Sequence, residues 1–306
     1  MNAVGAIVGP TATGKSALAV EVAERIGAEI VSVDSMQMYR SLDAGTAKPS
    51  DDLRARVPHH LIDAVDPGDA ISVAAFQRLA RGAVDDIHER GKLPLLVGGS
   101  GLYFRSVVDV MAFPPRSRAV RTRLEDAVIK GGLQSLYERL QQIDPVAAAR
   151  IEPSNARRVV RALEAIELTG RRFSDNRSWD EFESIYDLTA VGLTRPRPDL
   201  FARIEKRVDE MLAAGLVGEA RALAKRGLSA TARQAVGYKQ ILEASPADTA
   251  PETRARIIRA TKRLARKQES WFKSDPRIGW VNAAQTDSVD VVTERLRSPA
   301  AVPLQS

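Results

Sequence analysis

The chain has 306 residues, 44% hydrophobic and 27% charged, with no cysteine and only three histidines, His59, His60 and His88. That composition excludes disulfides, thiolate metal sites and cysteine nucleophiles, and it leaves no material for a histidine-rich metal centre. The net charge of +6 is unevenly spread: residues 1–113 hold 11 basic and 14 acidic side chains, residues 195–277 hold 19 and 10. A polyanionic partner or a solvated basic surface therefore belongs to the C-terminal part.

Residues 3–8 read as a buried strand and residues 15–26 as a helix, with Leu18, Val22 and Ile26 at four-residue spacing. A second strand is expected at 30–33, ending at Asp34, then an amphipathic helix over 72–90 and a buried strand over 92–97 closed by Gly98-Gly99. Such alternation predicts an α/β fold, a parallel sheet with helices on its faces. The texture changes at Phe113-Pro114-Pro115. Residues 117–170 show only helical periodicity, interrupted at Gly131-Gly132 and Asp144-Pro145. Strand character returns at 188–193, and the chain is again helical from Arg195-Pro196-Arg197-Pro198 to about residue 273. The expected organisation is a P-loop α/β core domain made of residues 1–113 and 186–306, carrying a helical insertion domain, 114–185. The last dozen residues are expected to be loosely held. No run approaches the roughly 20 apolar residues that span a bilayer. The N-terminal apolar run is too short for a signal peptide, so a cytoplasmic protein with no membrane partner is expected.

Directly behind the first strand stands GPTATGKS, residues 9–16. The spacing Gly-x-x-x-x-Gly-Lys-Ser is that of a loop that wraps a phosphate chain. Gly9 and Gly14 let the backbone of Gly9-Pro10-Thr11-Ala12-Thr13-Gly14-Lys15-Ser16 turn tightly so that the amide N–H groups of residues 11–16 point inward, and the helix that follows adds its positive end. Lys15 can reach a terminal phosphate, and the Ser16 hydroxyl can join the shell of a phosphate-bound Mg²⁺. An NTPase also needs an acid for the metal at the end of an apolar strand. The strand at 93–97 ends instead in Gly98-Gly99-Ser100. Asp34 is the other candidate, but Ser35-Met36-Gln37-Met38-Tyr39 follow it, a mixture of hydrogen-bonding and soft surfaces that suits an organic acceptor. Asp34 as a simple cap of the next helix is the plain alternative. On these residues alone a P-loop small-molecule kinase using ATP and an RNA-binding ATPase both stay open.

Longer stretches resemble the tRNA dimethylallyltransferases (the IPP transferase family), from near residue 5 to about residue 272. They are GPTATGKS at 9–16, SVDSMQMYRSLDAGTAKP at 32–49, PHHLID at 58–63, LLVGGSGLYF at 95–104, DPVAAARIEPSNARRVVRALE at 144–164, QAVGYKQ at 234–240 and TKRLARKQESWF at 261–272. The resemblance implies a P-loop core with a helical insertion. It also implies transfer of a dimethylallyl group from dimethylallyl diphosphate to the exocyclic amine of the adenine 3′-adjacent to the tRNA anticodon. The phosphate loop would then hold an isoprenoid diphosphate rather than ATP, with Mg²⁺ as cofactor on Ser16.

The roles that follow are those the family's motifs assign. Asp34 is the general base, Arg207 holds the diphosphate, and Ser100 stands where the family commonly has threonine. Asp34, Ser35, Met36, Gln37 and Ser100 match tRNA contacts. So do Arg157, Arg158 and Arg161 in the insertion, Arg121 beside Arg118 and Arg123, and Gln234, Gly237 and Lys239. The basic helix at 254–272, with Ile257, Leu264 and Trp271 every seven residues, leaves faces for RNA phosphates. His59 and His60 are read as structural hydrogen-bonders. The expected partners are the anticodon stem-loop of tRNA and dimethylallyl diphosphate, and the chain is expected to be a monomer.

Overall fold

A computed structural model describes residues 2–175, 181–245 and 247–297. In chain order the elements are β1 (Ala3–Val8), α1 (Lys15–Ile26), β2 (Ala28–Ser32), α2 (Asp51–Arg56), β3 (His59–His60), α3 (Val73–Glu89), β4 (Leu93–Gly98) and α4 (Gly101–Val108). Four helices follow: α5 (Arg118–Ile129), α6 (Leu133–Ile143), α7 (Pro145–Arg150) and α8 (Ala156–Thr169). The chain then runs through β5 (Asp187–Thr194), α9 (Arg197–Ala213), α10 (Leu216–Arg226), α11 (Tyr238–Leu242), α12 (Ala250–Lys273), β6 (Ile278–Asn282) and α13 (Ser288–Arg297).

The strands form one six-stranded sheet in the order β3-β2-β4-β1-β5-β6, parallel throughout. Side-chain alternation divides its residues between two cores. Ala6, Val8, Val31, Val33 and Leu96 pack on one face with Phe76, Phe104 and Phe272. Ile7, Ile30, Leu95 and Val97 pack on the other with Leu18, Val22 and Leu296. With both faces covered, the strands read as continuous apolar runs rather than as a polar/apolar alternation. Each such buried side chain contributes about 1.5–3 kcal/mol. Helix starts carry their own signals: the Ser72 side chain caps α3 by accepting the Ala75 N–H, and Thr249 with Glu252 forms a reciprocal cap on α12.

Two compact units result, residues 1–109 with 184–306, and residues 110–183. The second is built on Leu124, Leu136, Leu140, Val159 and Leu163 from α5, α6 and α8. Among the described residues no helix is long and apolar enough to cross a membrane.

Four details differ from the sequence expectations. The second strand occupies Ala28–Ser32 rather than 30–33. Two edge strands were not foreseen: β3, of two residues, and β6, whose five residues include Gly279. Strands that short carry too little periodicity to read. In the last dozen residues the structure continues α13 to Arg297, and residues 298–306 of that expectation lie outside the described residues.

Candidate active site

Because the sheet is parallel, the chain leaves β1, β2, β4, β5 and β6 at one common edge. Val8 sits opposite Gly98 and Gly192, and Ser32 opposite Val97. That edge is where ligands bind in open α/β sheets, and it gathers most of the residues singled out in the sequence.

The phosphate loop springs from β1. Gly9 has φ +134°, and a Cβ there would stand 2.5 Å from the Leu193 carbonyl, so only glycine fits. Gly14 caps α1 at φ +98°. Ala12, although not a glycine, also has a left-handed φ of 66°, a conformation that costs about 1 kcal/mol or more unless its surroundings enforce it. They do. The Arg203 Nε–H donates to the Ala12 carbonyl at 2.9 Å, and Ala12 packs beside Leu200, Ile204 and Ala265. Arg195 bridges from the Thr13 carbonyl (2.9 Å) to the Ala283 carbonyl beyond β6 (2.7 Å). Thr13 Oγ1 donates to the Pro10 carbonyl at 2.9 Å. The loop's carbonyls at 10, 12 and 13 are thus all engaged. The amides of Ala12, Thr13, Gly14, Lys15 and Ser16 have no acceptor among the described residues. Five free N–H groups at the start of a helix form an anion cradle.

Lys15 Nζ donates to the Pro10 carbonyl at 2.6 Å. Burial pushes its pKa down to about 7; Asp34 works against that shift and Arg207 with it. The Arg207 guanidinium donates to Thr11 Oγ1 at 3.0 Å, and burial lowers its pKa while Asp34 and Glu210 oppose the change. Both cations therefore feel the same carboxylate. Asp34 stands just past β2 and accepts the Met36 N–H at 2.9 Å. It caps a turn rather than a helix.

Ser100, following β4, accepts the Ser35 N–H at 3.3 Å and donates to Ser35 Oγ at 3.2 Å. The loops are pressed together: a Cβ on Gly98 would meet Val33 at 2.7 Å, and one on Gly101 would enter the Trp271 ring. Met36 packs against the core. Gln37 is less available than its motif suggested. Its Nε2 donates to the Thr46 and Ala47 carbonyls at 3.3 and 3.1 Å, and its Oε1 accepts from Ser32 Oγ.

In the 234–239 segment, Lys239 donates to Gln234 at 2.9 Å, and Gly237, at φ +96°, starts α11. The group there that reaches the loop after Tyr39 is the buried Tyr238. Its hydroxyl accepts the Gly45 N–H at 3.1 Å and donates to Glu219, which also accepts the Asp43 and Ala44 amides at 3.1 Å. Burial first, then Glu219, pushes the Tyr238 pKa far up, so it stays a donor.

The other singled-out arginines lie on the helical unit. Glu164, wholly buried, pairs with Arg121 and with Arg161, the latter also donating to the Pro114 and Pro115 carbonyls at 2.7 and 3.0 Å. Arg157 and Arg158 have no side-chain partner among the described residues, and Arg123 pairs with Glu167. On α12, Arg254, Arg256 and Lys262 are spent on Asp209, Asp248 and Glu205. The His59 Nδ1–H donates to the Val57 carbonyl at 2.7 Å, and His60 Nε2 is hydrogen-bonded to the Glu29 carboxylate at 2.8 Å, as structural hydrogen-bonders are.

Sequence reasoning missed Gln268. From α12 its Oε1 accepts the Thr11 N–H at 2.9 Å, and its Nε2 lies 2.5 Å from where a Gly99 Cβ would be. It missed Arg195 and Arg203 as well. All three act on the loop from more than 180 residues away, and only the folded chain brings them there.

A family model described as IPP transferase matches residues 37–275. The chain is 48% identical over 289 residues to a tRNA dimethylallyltransferase of Streptomyces coelicolor, covering 94% of this chain and 92% of that one. It is 49% identical to that of Moorella thermoacetica, with 90% and 88% covered. Among solved structures, it is similar to the full-length tRNA isopentenylpyrophosphate transferase of Bacillus halodurans, at 40% identity and TM-score 0.71, covering 98% and 96%. A eukaryotic dimethylallyltransferase caught acting on tRNA matches at 26% identity and TM-score 0.80, covering 100% of this chain and 81% of that one.

Proposed function

The chain belongs to the IPP transferase family, and from that premise we propose that it moves a dimethylallyl group from dimethylallyl diphosphate to the exocyclic amine of the adenine 3′-adjacent to the tRNA anticodon, releasing diphosphate. Its activity is tRNA dimethylallyl transfer, not a kinase reaction. The observation that carries the detailed reading is the pairing of five unbonded loop amides with two cations, Lys15 and Arg207, that both feel Asp34.

In the reaction the allylic carbon–oxygen bond breaks and its electron pair goes to the diphosphate. The loop amides, Lys15 and Arg207 face that developing charge, and fixed donors of this kind lower the barrier because they need no reorganisation. A new carbon–nitrogen bond forms at the adenine amine, a weak nucleophile whose lone pair is shared with the ring. Asp34 takes the proton that the amine loses. Its Oδ1 is held by the Met36 N–H, which keeps the carboxylate oriented toward the substrate. Ser100 supports the Ser35 backbone beside it. The base reaches this site by leaving its stack, and Ser35, Met36 and Gln37 form the adjoining surface.

Mg²⁺ fits the residues present. The Ser16 hydroxyl has no hydrogen-bond partner among the described residues, and those residues hold no acidic or histidine cage. A hard cation of this kind keeps several waters and takes substrate phosphates as ligands, and the free Ser16 hydroxyl is one protein oxygen within the loop that could join them. When bound, Mg²⁺ would neutralise charge on the diphosphate. The remaining elements of the reading are the anticodon stem-loop as docking partner, a monomeric state and a cytoplasmic location.

The test is direct. The protein is incubated with unmodified tRNA, Mg²⁺ and dimethylallyl diphosphate, and the digested nucleosides are weighed. The expected result is a prenylated adenosine. Unmodified adenosine, with phosphate transfer from ATP in its place, overturns the reading.

A further inference from the structure

On the helical unit, four arginines, Arg116, Arg121, Arg157 and Arg161, gather near one carboxylate. Glu164 on α8 is fully buried and accepts from Arg121 Nη2 at 2.5 Å, from Arg161 Nη1 at 2.9 Å and from the Ser117 N–H at 3.0 Å. Burial works to raise its pKa, but these hydrogen bonds outweigh that and hold the carboxyl below its ordinary range. It is an ionised anchor, and Arg121 and Arg161 are committed to it.

The segment just before α5 is fixed by the same anchor. Arg161 holds the Pro114 and Pro115 carbonyls and Glu164 holds the Ser117 N–H. Arg116 lies between these two points. Its backbone is pinned on both sides, its side chain is exposed, and it has no hydrogen-bond or ion-pair partner among the described residues. Protein on one flank desolvates it, which is the main cause lowering its pKa. Arg161, Arg121 and Arg157 add repulsion, and Glu164 only partly offsets them. Arg157, one turn before Arg161 on α8, is also without a partner. One negative charge thus stands among Arg116, Arg121, Arg157 and Arg161, which leaves the cluster short of anions by three. An excess of positive charge on a segment whose backbone is fixed is an electrostatic footprint for an anion.

We propose that Arg116, with Arg157 beside it, forms a phosphate-binding site for the RNA backbone, and that Glu164, Arg121 and Arg161 are the scaffold that presents it. This rests on the tRNA reading above. The ligand chemistry is a phosphodiester: a guanidinium fork accepts its two free oxygens in the way it accepts a carboxylate, and Pro114-Pro115 keeps the approach stiff. The scaffold arginines are held back by the bonds they already make, Arg121 through Nε and Nη2 to Glu164 and Arg161 through Nη1 and Nη2 to Glu164 and the Pro114 and Pro115 carbonyls, so they contribute field without reaching out. Arg116 is a binding residue that neither the phosphate-loop motif nor the arginine run at 157–161 signals.

The experiment uses the whole protein and an unmodified tRNA, with binding measured by filter retention across a salt series. One phosphate contact contributes about 0.9 to the slope of log affinity against log salt. Arg116→Gln is expected to weaken tRNA binding about fivefold at moderate salt and to make the slope shallower by about 1, while Arg116→Lys keeps most of the slope. Arg139→Gln, at an exposed arginine paired with Glu167 on the same unit, is expected to leave the slope as in wild type. An unchanged slope for Arg116→Gln overturns the inference, and so does an equal loss for Arg139→Gln, which would mean a diffuse field rather than a site. Absence of tRNA binding by the wild type sinks the functional reading instead, so the two failures are distinct.

Discussion

Arginines do opposite work in the two units. In the core, Arg195, Arg203 and Arg207 spend their N–H groups on the phosphate loop itself, at the Thr13 and Ala12 carbonyls and Thr11 Oγ1. On the helical unit, Arg121 and Arg161 are neutralised by Glu164, while Arg157 and Arg158 are left unpaired. The first arrangement makes a rigid cradle for a small, densely charged group, because each donor bonded outward leaves a backbone amide facing inward. The second leaves net charge on a surface, which suits a large and deformable polyanion. Under the proposed function, preorganisation would serve transition-state stabilisation in one case and electrostatic attraction would serve capture in the other. Substitutions in the core should therefore act on turnover with little salt dependence, and those on the helical unit on tRNA affinity with strong salt dependence.

The largest effect is expected at Asp34, the one acid that both Lys15 and Arg207 feel. Asp34→Asn keeps the acceptor for the Met36 N–H but cannot take the proton. Turnover should fall about a thousandfold or more, while binding of inorganic pyrophosphate, followed by calorimetry, stays within a few-fold of wild type. Loss of both together would make Asp34 a metal ligand or a structural group and would erase the division of labour in the core.

Next comes Arg207→Gln. It removes a cation from the leaving group and frees Thr11 Oγ1. A fall of about a hundredfold in kcat is expected, with the salt slope of tRNA binding unaltered. A shallower slope would place Arg207 in the same class as the arginines of the helical unit and break the comparison.

A third test uses pH. With its pKa lowered to about 7 in the folded protein against 10.5 ordinarily, Lys15 is neutral when folded and charged when unfolded between those values. The unfolded chain binds the extra proton there, so stability contributed by this group rises with pH from about 7 to about 10.5. Below that window both states are protonated and the burial penalty is present in full. Lys15→Met should remove this part of the slope in denaturant titrations. Pyrophosphate should also remove it, by restoring the lysine's charge in the folded state. A slope identical in Lys15→Met and wild type would show that Lys15 stays charged in the empty loop.

Much of the core unit was legible in the sequence because its signals are local. Strands buried on both faces appear as apolar runs, and GPTATGKS announces its own backbone geometry. The division of labour among charged groups was not legible. Arg121 and Arg157 look alike in the sequence, yet one is consumed by Glu164, forty-three residues away, and the other is not. Gln268 reaches Thr11 across 257 residues. Spacing along a helix tells which side chains are neighbours, not which have already found a partner across the fold. Gln37 makes the same point from the other side: its motif suggested a reader of base edges, and its amide is occupied by the Thr46 and Ala47 carbonyls.

The smallest effect is expected at Tyr238, and it bears most finely on the comparison. Its hydroxyl and Glu219 fasten residues 43–45, next to the carbonyls that hold Gln37. Tyr238→Phe keeps the packing of the ring and leaves the Gly45 N–H without its acceptor, a loss of about 1–2 kcal/mol in global stability. Because the loop after Asp34 is loosened rather than the phosphate cradle, the KM for tRNA should rise about threefold to tenfold, with the KM for dimethylallyl diphosphate little changed. The salt slope should stay as in wild type, since no charge that faces solvent has been removed. An effect on tRNA without salt dependence would separate shape from charge in the recognition of one substrate. A slope that changes in Tyr238→Phe would mean that the 43–47 loop itself carries phosphate contacts, and the core unit would then share the capture role assigned to the helices.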